Sequence, residues 1–363
     1  MTGSPLARSW WPTVFLVSTL VAGALWALIS QVARGSFFPA SPYLIAPSMI
    51  LFGVCVGTYA RVMWVRGNSI VFFVAAVAVT LLSIPIYANA SAAVGYLLFS
   101  LAVMAALDLR AINDNAVAVD PWNPAEAGSP DRFLSWASKK VERDGGTVFL
   151  PRFHEFVAVI AGITGIVLAT ESQAAFVLLL GILVISVTAI ATQSGPPRCV
   201  VVILALFLSE VASAIVIYLG HRNDWPSYLS AGGSLSSARH TLWSDALSLW
   251  ATSPVIGSGP GSFTEYSELA STTPHLRAAH SLILQTGAEL GVIGVLLLVL
   301  LILAGLIYAS QACRPIALVA MAGWTALAIH STIDHLEDFP VVAITAGLVI
   351  GWAGAARYTL DRR

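Results

Sequence analysis

Between residues 220 and 282 the chain gathers four of its seven histidines, three arginines and a glycine cluster. Histidine, with an ordinary pKa of about 6.5, is a competent base near neutrality. Arginine gives paired, charge-assisted hydrogen bonds to phosphate oxygens. His280 stands three residues after Arg277, Glu289 follows nine residues later, and Arg239 lies upstream. Residues of these types can serve acid–base chemistry and the binding of an anion. Each also has a plainer reading. His280 taken alone is a solvated or hydrogen-bonded interfacial histidine, and Arg239 is a lipid-headgroup anchor. Glu289 either orients His280 or caps local backbone.

Three further features invite chemistry. Gly257-Ser258-Gly259-Pro260-Gly261-Ser262-Phe263 is not a phosphate loop of the Walker type, because no Lys-Ser/Thr follows the last glycine. Glycine there lets backbone approach a bulky polar ligand. The run Asp334-His335-Leu336-Glu337-Asp338 could ligate a divalent cation through oxygen and imidazole, bind an acceptor, or simply solvate a turn. Glu210 interrupts an apolar run and is either functional or bonded to Ser209 or Ser213.

The elements that must position these residues are membrane spans. Of 363 residues, 57% are hydrophobic and 10% charged, against roughly 25% charged in soluble domains. A mean hydropathy of +0.82 over the whole length exceeds what one buried core supplies. The apolar residues form runs near the ~20 residues that cross a bilayer as helix. Ten are expected: 12–34, 44–64, 69–88, 91–109, 154–170, 174–192, 199–219, 283–309, 316–333 and 340–356. The first is read as a retained span, and small residues at Gly162/Gly165 and Gly351/Gly354 suit close helix packing. The net charge of −1 and the lack of a basic tract give no reason to expect nucleic acid as a partner. Cys55, Cys199 and Cys313 imply no disulfide framework.

With both termini cytoplasmic, the inside segments carry fourteen of the eighteen Lys and Arg residues. This is the positive-inside bias. The expected organisation is spans one to four over 1–109, a cytoplasmic loop at 110–153, and spans five to seven over 154–219. An extracytoplasmic loop at 220–282 follows, then spans eight to ten and a cytoplasmic tail over 283–363. Within the outer loop, Ser237 is placed to cap a helix through Trp250, ended by Pro254, with Trp243 and Trp250 at headgroup level.

The order of these pieces resembles the O-antigen ligase and polymerase family of membrane glycosyltransferases. The family pattern is an Arg and a Trp leading an interfacial helix, then a Pro-x-x-Gly-x-Gly-x-Gly-x-Phe run. A His-Asn/Ser pair, a Glu nine residues on, and Gly-x-x-Gly follow. Here Arg239 and Trp243, Pro254, Gly257, Gly259, Gly261 and Phe263, then His280, Glu289, Gly291 and Gly294 fill those places. His330 and Asp334 match a later His-x-x-x-Asp. The resemblance covers about 239–340 and implies an all-α, GT-C-like integral membrane protein with interfacial helices on one large outer loop.

It also implies an inverting, metal-independent glycosyltransferase of the bacterial inner membrane, without a cofactor. The donor would be a polyprenyl-pyrophosphate-linked glycan and the acceptor a glycan or glycolipid hydroxyl outside the membrane. His280 and Glu289 become the catalytic candidates. Arg239 and Arg277 become the pyrophosphate-binding candidates. Trp243, Gly257, Gly259, Gly261, His330 and Asp334 fall near substrate. Gln173 stands where family members often carry an arginine after serine, and a neutral amide lacks the guanidinium's charge and fork. The family usually has about twelve spans, so this chain is a compact version. The competing class is a polytopic transporter or flippase, for which internal repeats are expected and none is found.

Overall fold

A computed structural model of the chain describes residues 10–34, 42–65, 87–113, 161–165, 167–192, 195–225 and 234–359. Among these, every regular element is helical. Six helices are long and apolar enough to cross a membrane: α1 (Trp11–Ala33), α2 (Pro42–Val65), α3 (Ala88–Asn113), α4 (Gln173–Ala191), α5 (Arg198–Gly220) and α9 (Leu282–Ala309). Helix is the conformation expected here, since a lipid-exposed backbone must satisfy its own polar groups. α6 (Ser234–Thr252), α7 (Ser262–Tyr266) and α8 (Glu268–Thr272) lie between α5 and α9. α10 (Arg314–Ser331) and α11 (Pro340–Thr359) stand where the last two spans are expected. The expected span at 69–88 and loop at 110–153 lie almost wholly outside the described residues. Of 154–170, residues 161–165 and 167–169 are helical.

The chain divides into two compact units. The first comprises Met1–Leu51, Leu206–Tyr308 and Ser331–Pro340. Its core joins Leu242, Trp243, Ala246 and Leu249 of α6 to Phe263 of α7 and to Ile283, Leu284 and Ala288 of α9. Trp243 packs into the protein interior: the face bearing Leu242, Trp243, Ala246 and Leu249 turns toward protein. Trp225 meets the Trp243 ring edge-on at 5.6 Å and the His240 ring at 5.1 Å. α6 begins at Ser234, three residues before the expected cap, and ends at Thr252 ahead of Pro254.

The second unit comprises Phe52–Ala205, Ala309–His330 and Val341–Arg363. Here the residues of α2 from Phe52 onward meet α11 through glycine. A Cβ on Gly53 would strike the Ile344 carbonyl oxygen, and one on Gly351 would strike that of Val54. Small residues at this spacing let two helices approach backbone to backbone. Gly351 thus packs as the sequence suggests, whereas Gly162 and Gly165 meet nothing among the described residues where a Cβ would go. In α2, α3 and α11, the Arg61 guanidinium forks onto Asp108 with both bonds at 2.7 Å, and Trp352 Nε1 donates to Asp108 at 2.9 Å. α4 and the start of α5 show Val177, Val184, Leu180, Ile203 and Leu204 outward, an apolar surface that suits lipid tails.

Candidate active site

The first unit builds its site around an interruption in α9. Gly291 sits at φ +66°, ψ −168°, so the helix runs to Leu290, breaks and resumes. That backbone region is open essentially to glycine alone. A break at membrane depth frees backbone groups that need partners. The glycine-bearing loop before α7 supplies most of them. Ser258 and Gly259 N–H donate to the Ala288 and Glu289 carbonyls at 3.0 and 2.8 Å. Val292 and Ile293 N–H donate to Pro254 and Val255 at 2.9 and 3.3 Å, and Trp26 Nε1 donates to Leu290 at 3.0 Å. Gly257, at φ +73°, passes so close to the Glu289 backbone that a Cβ would collide with it. These glycines therefore serve first to stitch loop and broken helix together. The unbroken span expected over 283–309 is corrected accordingly.

That stitching fixes the turn bearing His280. Its backbone is left-handed, φ +49°, uncommon for a residue with a side chain. Three contacts hold it. Ala279 N–H donates to Gln285 Oε1 at 2.7 Å, Trp243 Nε1 donates to the His280 carbonyl at 3.3 Å, and His280 Nδ1 lies 3.2 Å from Asp334 Oδ1. A carboxylate only accepts, so Nδ1 carries the proton and Nε2 presents its lone pair. Nε2 is buried and has no hydrogen-bond partner among the described residues. Its environment has the form of an oriented base.

Asp334 is fully buried and binds more than His280. His335 Nδ1 approaches the same oxygen at 2.8 Å, the His335 N–H donates to it at 2.9 Å, and Arg239 lies 3.9 Å from Oδ2. Burial alone would raise this carboxyl's pKa. Hydrogen bonds from His280 and His335, with their charge, outweigh it and hold the group well below the usual aspartate range. The two imidazole Nδ1 atoms are 3.1 Å apart, their rings edge-to-face at 4.3 Å. His280, Asp334 and His335 thus present three donor atoms within 4.8 Å of one another, a set able to hold protons or one divalent cation.

Glu289 does not touch this cluster in the way a helical reading suggests. It accepts from Gln285 Nε2 at 2.8 Å and from the Phe263 N–H at 3.3 Å. Through Gln285 it braces the His280 turn, and through Phe263 it anchors α7. It also lines a cavity of about 200 Å³ with Tyr43, Thr264, Arg277, Gln285, Glu337 and Asp338. Glu337 Oε2 is buried with no hydrogen-bond partner among the described residues. Burial first, then the neighbouring Asp338 charge, pushes the Glu337 carboxyl well above the usual glutamate range. Glu210 Oε1, on α5, is likewise buried without a partner among the described residues.

The structure brings His280, Asp334, Arg239 and Trp243 together, and sets Arg277 and Glu289 in the adjoining cavity. Arg239 has a buried Nε without a hydrogen-bond partner among the described residues, while Arg277 is exposed. Gly257 and Gly259 serve the helix break, and Gly261, at φ +82°, is the residue before α7 and lines the cavity. Gln173 and His330 belong to the second unit. Gln173 is the exposed first residue of α4, and buried His330 Nδ1 lies 3.4 Å from the Tyr96 hydroxyl. Sequence reasoning names His335 and Glu337 only collectively, within a run that could ligate a cation, bind an acceptor or solvate a turn. It gives Gln285 no role, because its two-ended brace depends on the backbone of a turn five residues away.

No curated protein matches the chain. The family model described as O-antigen ligase matches residues 156–299, the stretch that holds α6, the glycine loop, His280 and the break in α9. Over that stretch the chain is similar to the O-antigen ligase family, whose members are glycosyltransferase-like ligases acting on lipid-linked glycans and their acceptors.

Proposed function

We propose that the chain transfers a glycan from polyprenyl pyrophosphate to an acceptor hydroxyl on the extracytoplasmic face of the bacterial inner membrane, with inversion and without a metal. The observation carrying this reading is the buried His280–Asp334 pair, whose Nε2 has no hydrogen-bond partner among the described residues. The acceptor O–H gives its proton to His280 Nε2 as its oxygen bonds to the anomeric carbon. The bond from that carbon to the pyrophosphate oxygen breaks, and the electron pair leaves with the phosphate. Single displacement inverts the anomeric centre. Asp334 holds the imidazole in the required tautomer and stabilises the imidazolium that forms. Arg239 and Arg277 offer guanidinium groups to the departing phosphates.

Transfer from a synthetic polyprenyl-pyrophosphate glycan by purified protein tests the reading. Arg239→Ala should lose a charged hydrogen bond worth roughly 1.5–3 kcal/mol in the transition state, and lysine should restore only part. Turnover should persist in a metal chelator. Loss of turnover on chelation, restored by one divalent cation, would instead make His280, Asp334 and His335 metal ligands. Wild-type turnover in Arg239→Ala would remove that arginine from the mechanism.

A further inference from the structure

Transfer requires a seat for the acceptor as well as a base, and the cavity next to His280 has chemistry of its own. We infer that this cavity binds the acceptor as a sugar ring free of anionic groups, so that the enzyme selects neutral or amine-bearing acceptors over phosphorylated ones. The inference rests on the glycosyl-transfer reading above. At about 200 Å³ the cavity is smaller than the ~300–1,000 Å³ typical of drug-sized pockets, a scale suited to one ring. It opens beside Arg277 and Ala278, two and three residues from the proposed base.

Its lining matches a polyol. Glu289, Glu337 and Asp338 supply carboxyl oxygens, Gln285 and Thr264 supply an amide and a hydroxyl, and Tyr43 adds an aromatic ring with a hydroxyl. Glu337 Oε2, buried and unbonded among the described residues, is an acceptor awaiting a donor, since buried polar atoms are rarely left unpaired. Gln285 is held at both ends, by Glu289 and by the Ala279 N–H, and so is set in place before any ligand arrives. The charge balance decides selectivity. Three carboxyl groups face one guanidinium, that of Arg277. Burial and mutual proximity already push the Glu337 and Asp338 carboxyls upward, so this space disfavours negative charge. A phosphate entering it meets the same penalty with Arg277 alone to offset it, whereas hydroxyl and ammonium groups meet carboxyl oxygens.

The test uses the full chain in lipid nanodiscs and three probes: an N-acetylhexosamine disaccharide, its free-amine form and its 6-phosphate. Binding is read by saturation-transfer NMR without donor, and acceptor KM is read in the transfer assay. The neutral and amine forms should bind, with the phosphorylated form about tenfold weaker or worse, as like-charge contacts require. Asp338→Asn, at an exposed position, should narrow that gap several-fold, and Glu337→Gln, at a carboxyl already pushed upward, should narrow it less. Equal binding of the 6-phosphate, no binding of any probe, or an unchanged gap in the folded variants overturns the inference. Selective binding without any transfer would sink the transferase reading and leave the pocket. Transfer whose acceptor KM ignores both substitutions would sink the pocket and leave the transferase.

Discussion

Two buried aspartates divide this molecule into a closed region and an open one. In the second unit, Asp108 receives both prongs of Arg61 and the indole of Trp352, and the guanidinium and carboxylate are each about one-twentieth exposed. In the first unit, Asp334 is as deeply buried but receives two imidazoles side by side, while Arg239 stays 3.9 Å away. Around it His280 Nε2, Arg239 Nε and Glu337 Oε2 are buried without hydrogen-bond partners among the described residues. A buried charge with good geometry on all sides is a structural fixture, and removing one partner is costly. A buried charge ringed by polar atoms with spare capacity leaves work for a substrate. The difference lies in the partners, since burial alone does not separate the two.

Substitutions that exchange the two regions' phenotypes would break this contrast. The largest effect is expected from His280→Ala, a loss of about 100- to 10,000-fold in transfer rate, the usual worth of a general base. Its melting temperature should hardly move, because His335 still hydrogen-bonds Asp334. A destabilised protein with normal turnover per folded molecule would return His280 to a structural role. Arg61→Ala should do the opposite. It strands Asp108 and should cost about 3–5 kcal/mol of stability, with turnover per folded molecule retained. Urea or thermal unfolding in detergent, set beside specific activity, reads both.

Smaller effects sharpen the same contrast. Gly291→Ala forces a side chain into a left-handed position against the Val255 carbonyl, and a strained residue of this kind costs about 1–3 kcal/mol. Because the glycine loop and the His280 turn are tied to this break, rate and stability should fall together. Unchanged rate would show that the break does not position the base.

The least effect is the pH response of Asp334. Its depressed pKa contributes stability that is present above the ordinary value near 4 and lost as pH falls through the depressed one. The melting-temperature advantage of wild type over Asp334→Asn should therefore shrink as pH drops below about 4. Glu337, whose carboxyl is raised in part by the Asp334 charge, acts in the opposite direction and offsets part of that advantage at higher pH. A constant advantage would mean that Asp334 is not held ionised by its histidines.

Much of the architecture was written in one dimension. Apolar runs of bilayer length fixed α1, α2, α4, α5 and α9, since a span is a local property of about twenty consecutive residues. Ordered motif residues also singled out His280, Arg239 and Asp334, which the fold brings together although 54 residues separate His280 from Asp334. Other assignments needed the third dimension. Glu289 could be read as orienting His280 or as capping local backbone; in the structure Asp334 meets His280, while Glu289 accepts from the Phe263 N–H and faces a cavity. Trp243 looked interfacial, and turned out to clamp the His280 carbonyl from the core. Gly291 was legible only as a place in the family's Gly-x-x-Gly pattern, and the backbone shows it to be a break whose freed groups another loop satisfies. Hydropathy reports where a segment sits relative to lipid. Which polar atoms are left over inside depends on which segments meet, and only the folded chain decides that.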